Sequence, residues 1–263
     1  MFQIIDPLLV GGGLAFVVFF GILAFLSLGR WLGRRTIARG GDDALSSAGS
    51  LETTVFAILG LLIAFTFSGA MARFDVRRTQ VVDEANAIGT AYLRIALLPS
   101  SAQPKLRETF RNYVDSRIET YRKLPDLQAA RLELARSQEL QNDIWAQAVA
   151  ATRLPDSRAG TEVLMMPALN QMFDITTVRI AATQMHPPAI IFAMLIALAL
   201  ASALLAGYQS ADGKGHNWVY RLGFAGIVAI TVYVILDIEY PRLGWVRIDA
   251  IDQVLVSVRE SMK

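Results

Sequence analysis

Glu52-Thr53-Thr54-Val55-Phe56-Ala57-Ile58-Leu59-Gly60-Leu61-Leu62-Ile63-Ala64-Phe65-Thr66-Phe67-Ser68-Gly69-Ala70-Met71-Ala72-Arg73 is the stretch that decides the fold. No charge lies between Glu52 and Arg73, and residues 53–72 supply the roughly 20 positions a helix needs to cross a ~30 Å hydrocarbon core. Backbone groups in lipid must be satisfied within their own segment, so the stretch reads as a transmembrane helix. The period-two alternation of an outer-membrane barrel strand is absent. Working outward, residues 7–29, 188–208 and 218–236 repeat the pattern, and Pro7 suits a first helical turn. The fourth span is the weakest, since only 222–236 lies uncharged between Arg221 and Asp237. It reaches full length if Arg221 snorkels while Trp218 and Tyr220 sit at the interface. The first run has Asp6 and no Lys or Arg ahead of it, and no small-residue cleavage pattern behind it. It reads as a retained span rather than a signal peptide.

Composition agrees with this reading. Of 263 residues, 54% are hydrophobic and 18% charged, against about a quarter charged in soluble domains, and the deficit is concentrated in the four windows. A net charge of +2 provides no basic field for nucleic acid. With no cysteine, disulfides and thiolate chemistry are excluded. His186 and His216 stand too far apart to suggest a histidine metal cluster, and there is no P-loop, G-x-S-x-G or H-E-x-x-H. A membrane-embedded enzyme or proton-coupled transporter would need ionisable groups at membrane depth, and the apolar run of each span has none. No catalytic residue, metal or cofactor is expected. Gly11-Gly12-Gly13, inside the first span, reads as close helix packing through small residues.

Residues 73–187 differ in kind, with 15 basic and 13 acidic side chains in a near-neutral mixture. From Arg73 to about Leu98 there is no proline and one glycine, so the second span is predicted to continue as one long helix. After Leu97-Leu98-Pro99-Ser100, Ser101 is expected to cap a helix with Pro104 in its first turn. Leu106, Phe110, Val114, Ile118 and Tyr121 form an apolar stripe along it. A third helix follows Leu124-Pro125-Asp126 and runs to about Thr152, with Leu132, Ile144, Trp145 and Val149 as apolar contacts. A fourth covers about 161–184 and leads through His186-Pro187-Pro188 into the third span. His186 is either a solvated boundary residue or a pH sensor. Asp237 and Glu239 read as interfacial charges ending the fourth span or as a cation site, and 245–262 as a short amphipathic tail.

Within the second span, Ala57, Leu61, Ala64, Phe65, Ser68 and Ala72 fall on one helical face. Two readings stand: ordinary packing against the other spans, or the lining of a pore in a symmetric oligomer with Leu61 and Phe65 as a hydrophobic constriction. Arg73, Asp75, Arg77 and Glu84 follow at helical spacing. They are either a solvated, salt-bridged face or a ring of charge at a pore mouth. Arg30, Arg34, Arg35 and Arg39 after the first span favour a cytoplasmic loop. Arg73, Arg77, Arg78, Arg242 and Arg247 flank the opposite side, so orientation stays open.

The run Leu59-Gly60 through Phe65, Gly69, Arg73-Phe74-Asp75 and Arg77-Arg78 resembles the second-span signature of bestrophin channels. Glu239-Tyr240-Pro241-Arg242-Leu243-Gly244 resembles the turn after their fourth span. More closely, 62–68 (Leu-x-Ala-Phe-Thr-Phe-Ser) and 84–94 (Glu-Ala-Asn-Ala-Ile-Gly-Thr-Ala-Tyr-Leu-Arg) resemble a bacterial group of bestrophin-like membrane proteins over nearly the whole chain. The resemblance implies a pentameric ion channel lined by the second span, with Leu61 and Phe65 at the first two hydrophobic neck positions. The third would fall near Ser68 or Gly69, where this chain lacks a bulky residue. The acidic calcium clasp of animal bestrophins is also missing after Gly244, so calcium activation of that kind is not expected.

The expectation is therefore an all-α integral membrane protein, with four transmembrane helices and a helical bundle inserted between the second and third. Its segments are a first hairpin (1–72), an extramembrane helical domain (73–187), a second hairpin (188–238) and an interfacial turn with an amphipathic tail (239–263). Gly69 joins the pore-lining face. The partners expected are the lipid bilayer, inorganic ions and further copies of the chain in a bacterial inner membrane, and not nucleic acid. The rival reading is a non-conducting scaffold or sensor whose helical domain binds a partner protein.

Overall fold

A computed structural model describes residues 7–39, 42–211, 218–240, 242, 245–246 and 248–262. Asp6, His216, Pro241, Leu243, Gly244 and Arg247, which entered the sequence reading, lie outside the described residues. The elements are α1 (Pro7–Ile37), α2 (Asp42–Arg94), a 3-10 turn (Ile95–Leu97), α3 (Gln103–Arg122), α4 (Leu127–Thr152), α5 (Thr161–Gln184), α6 (Ala189–Gln209), α7 (Trp218–Glu239), a second 3-10 turn (Asp249–Asp252) and α8 (Gln253–Ser261). Stretches within Gly11–Ile37, Gly49–Leu97, Thr161–Gln209 and Trp218–Glu239 are long and apolar enough to cross a bilayer. The protein is all-α and multi-pass, with a non-membrane bundle between the second and third membrane-length helices.

The long helix predicted from the second span is present, but it begins well before the apolar run. α2 is 53 residues long, on the order of 80 Å at 1.5 Å per residue. α1 likewise continues past its apolar run, so Arg30, Arg34 and Arg35 sit on a helix rather than in a loop. The reason is local: neither 30–37 nor 42–52 contains a proline to break the helix.

The chain divides into two compact units, Met1–Ala72 with His186–Trp245 and Arg73–Met185 with Val246–Lys263. In the first, α1 packs on α6 and α7. Val18, Ile22 and Leu26 meet Leu195, Ala199 and Ala203 of α6, and Ala225, Val228 and Val232 of α7. Close approach is enforced by glycines: a Cβ on Gly29 would run into the Leu204 carbonyl, one on Gly207 into the Leu26 carbonyl, and one on Gly33 would lie 2.5 Å from Tyr208 O. The triple glycine does not serve this purpose. Gly12 and Gly13 have nothing within 4 Å of a Cβ, and Gly11 only the Tyr233 ring at 3.8 Å. Arg221, expected to snorkel, directs a guanidinium nitrogen to the Ser27 hydroxyl on α1.

The second unit is a bundle of the later half of α2 with α3, α4, α5 and α8. Val81, Ala85, Ile88, Tyr92 and Ile95 meet Leu106, Phe110, Val114, Ile144, Ala148, Met165, Leu169 and Met172. The predicted α3 stripe is the buried one, and on α4 the predicted Ile144 is fully buried while Leu132 and Trp145 depart from expectation. Its inward residues are Ala130, Ser137, Ile144, Ala148 and Ala151, Leu132 is 70% exposed, and Trp145 is also exposed. Small residues on α4 let it pack closely on α3, and a stripe counted only from large side chains missed that face. The cap of α3 also differs: Ala102 occupies the N-cap without a side-chain bond. Asp126, which ended the previous helix in the sequence reading, caps α4 by accepting from the backbone N–H of Gln128 and Ala129 at 3.0 Å. The tail forms α8 and buries Leu255 in the bundle core, with Arg259 donating to both carboxylate oxygens of Asp115 at 2.7 and 3.0 Å.

Candidate functional site

In the first unit, α2 has two unlike faces. Leu59 is buried, with Phe56, Leu62 and Ile63 packed beside it, and the Phe56 ring meets the Phe224 ring edge-on at 5.4 Å. These positions recur three and four apart, as one side of a helix must. On the other side Ala57, Leu61, Ala64, Phe65, Ser68 and Ala72 are all exposed in the single chain, and Gly69 is half-buried. Leu61 and Phe65, one turn apart, are 56% and 67% exposed. The face singled out from the sequence is therefore uncovered by the chain's own spans.

The charged residues that follow separate into distinct environments in the second unit. Arg73 is half-buried. Asp75 is exposed and pairs with Arg78 at 3.4 Å. It also lines an open groove of about 420 Å³ with Val76, Thr79, Gln80, Asp83, Ile175 and Val178. Arg77 is buried and donates to the Ala182 and Met185 carbonyls at 3.2 and 3.1 Å. It thus closes the C-terminal end of α5, where orphan carbonyls and the helix dipole both favour a cation.

Glu84 is placed differently from the exposed charge that the spacing suggested. It is fully buried, and one carboxylate oxygen accepts from Arg117 Nε at 2.6 Å. The other oxygen meets Arg179 Nη1. Arg117 Nη2 donates to the Tyr121 hydroxyl at 2.7 Å, and the Arg179 guanidinium lies over the Tyr121 ring at 4.3 Å. A carboxylate in a low-dielectric core needs such partners, which is why Glu84 cannot serve as a solvated rim charge in this fold. Arg117 and Arg179 escaped notice in the sequence. The available signal was a basic residue at position 117, on the buried stripe between Val114 and Tyr121.

A second polar chain joins α3 to α4. Ser116 Oγ lies 2.8 Å from Ser137 Oγ and 3.1 Å from Glu133 Oε2, and Lys123 Nζ donates to Glu133 Oε1 at 2.7 Å. The Lys123 ammonium, with Ser116, holds the Glu133 carboxyl below its ordinary range against the opposing effect of burial. In the first unit, His186 Nδ1 is 3.0 Å from Glu239 Oε1 and its ring stacks on Tyr240 at 4.6 Å. Asp237 accepts from the Trp245 backbone N–H at 2.9 Å. Glu239 and Asp237, read as charges at the end of the fourth span, are thus buried and hydrogen-bonded. Among the described residues, no group of three or more His, Cys, Asp or Glu side chains is arranged to hold a metal.

With these features in place, the comparisons define the class. The Bestrophin-like domain family matches residues 20–250, which take in the later part of the first membrane-length helix, the other three and the inserted bundle, so the chain belongs to that family. No curated protein and no solved structure matches it.

Proposed function

We propose that the protein is a homo-oligomeric, pentameric ion channel of the bacterial inner membrane, with α2 lining the conduction path. The observation that carries this reading is the division of α2 into a packed face and an uncovered one. The uncovered face combines small and hydroxylated positions (Ala57, Ala64, Ser68, Gly69, Ala72) with two bulky residues one turn apart (Leu61, Phe65). Small residues permit close approach of neighbouring copies, and stacked rings of Leu61 and Phe65 would form a constriction that gates by dewetting. Four membrane-length helices cannot enclose a water-filled path and shield it from lipid, so conduction requires assembly. Arg73 and Asp75 are the mouth charges of this reading. The pentamer is what membership of a bestrophin-like family suggests. No enzymatic role is proposed.

The test is current across a planar bilayer containing the purified protein under a KCl gradient. A reproducible conductance supports the channel, and the sign of the reversal potential assigns anion or cation selectivity. Silence across voltage and pH in an intact oligomer favours the rival, a scaffold whose bundle docks a partner. Its supporting observation is the exposure of Leu93, Val163 and Leu164 beside the contact of Arg94 Nη1 with Leu164 O.

A further inference from the structure

The side of α1 turned away from α6 is zoned along its length. Gly29 and Gly33 press one side of the helix onto the α6 backbone. On the other side Val17, Phe20, Leu28, Trp31 and Leu32 recur at helical spacing and are exposed. Where this apolar run ends, the exposed side chains become basic. Arg34 and Arg35 occupy the last turn, and Arg39 follows in a turn that its backbone N–H closes on the Thr36 carbonyl at 3.0 Å. The Arg35 guanidinium lies over the Trp31 ring at 3.7 Å, which holds the cation beside the apolar face. Residues 7–41 contain four arginines and no acid, so α1 supplies no carboxylate of its own. Arg221 of α7 reaches Ser27 of α1, which brings the exposed Trp218 and Tyr220 to the same end of the unit.

Trp and Tyr favour the membrane–water interface, and the planar guanidinium fork matches a phosphate oxygen pair. An apolar helix face leading into phosphate-matching cations has the chemistry of a bound lipid molecule, chain below and headgroup above. The surplus positive charge selects a headgroup whose phosphodiester has no ammonium to balance it. We propose that the end of α1 binds an acidic phospholipid, with an acyl chain along Phe20, Leu28 and Leu32 and the phosphodiester at Arg34 and Arg35. The site is separate from the uncovered face of α2 and does not depend on conduction.

Competition on the delipidated full-length oligomer in detergent tests this, with equal amounts of phosphatidylglycerol and phosphatidylcholine and native mass spectrometry as the readout. Bound phosphatidylglycerol should exceed phosphatidylcholine by roughly fivefold or more, the factor that one arginine near the lipid surface contributes. Arg34→Gln combined with Arg35→Gln should bring the two lipids near parity. Arg122→Gln, at an exposed arginine of the inserted bundle, should leave the preference intact. Equal binding by the wild-type protein, a result that stands even if the double variant does not fold, overturns the proposal, as does a preference that survives in that variant. Leu28→Cys, in a chain with no other cysteine, checks the occupant in phosphatidylcholine–phosphatidylglycerol vesicles. Under oxidant it should stay uncross-linked, whereas a disulfide-linked dimer would mean that a second copy of the chain covers the face and no lipid does.

Discussion

Arg117 donates through Nε to Glu84 Oε1 at 2.6 Å, and neither side chain is exposed to solvent. The pair fastens α3 to the late half of α2, and Arg179 brings α5 to the same carboxylate. Desolvation and attraction nearly offset one another in such clusters, so their removal as a set costs far less than breaking them. Glu84→Ala should therefore destabilise the protein by about 3–5 kcal/mol, since it strands two buried cations. Replacing Glu84, Arg117 and Arg179 together by apolar residues of similar volume should recover most of that loss. Chaotrope unfolding of both variants provides the comparison, and equal losses would sink the ion-cluster account.

Gly29 yields a prediction of a different kind, because its constraint is space. The Leu204 backbone of α6 occupies the volume a Cβ would fill, and backbone cannot move aside as a flexible side chain can. Gly29→Val should separate α1 from α6 and leave little monodisperse protein after extraction. Gly12→Ala meets nothing within 4 Å and should be neutral, or stabilising by about 0.5–1 kcal/mol from helix propensity. Size-exclusion profiles after graded heating distinguish the two.

Glu133 makes bundle stability pH-dependent in a defined direction. Lys123 and Ser116 favour its ionised form, so its folded pKa lies below the ordinary value of 4.5. A depressed carboxylate stabilises the fold in full above the unfolded value, and that stabilisation is lost as pH falls through the folded one. The wild-type advantage over Glu133→Gln should be constant from neutral pH down to the ordinary carboxylate range and shrink below it. Melting curves across that acid window check this, and an advantage growing in acid would contradict the sign.

Three of the spans were legible because an uncharged run of membrane length admits one backbone solution, and the continuation of α2 because residues 73–98 hold no proline. The uncovered face of α2 was legible from helical spacing. Apart from Ile144, what α4 buries was not, because Ala130, Ala148 and Ala151 carry little hydrophobic signal while Leu132 and Trp145 carry much. Glu84 was misjudged for a related reason: spacing places a charge on a face, but whether Arg117 and Arg179 meet it depends on contacts 33 and 95 residues away. The glycines that matter, Gly29, Gly33 and Gly207, were overshadowed by a more conspicuous triplet that touches little.

Leu61 and Phe65 bear the sharpest functional prediction. They lie four residues apart, hence on one side of α2, and are exposed, whereas Leu59 on the opposite side is buried against α1, α6 and α7. If copies assemble with the uncovered side inward, shortening Leu61 and Phe65 to alanine widens the narrowest ring and removes a dewetting barrier, so single-channel conductance should rise several-fold. Leu59→Ala should leave conductance unchanged and lower stability by about 2–5 kcal/mol instead. The chain has no cysteine, so a single cysteine at 61 or 65 is an unambiguous reporter: water-soluble thiol reagents should block current through Leu61→Cys and spare Leu59→Cys. Block of Leu59→Cys with Leu61→Cys untouched would turn the helix around and place the packed face on the path.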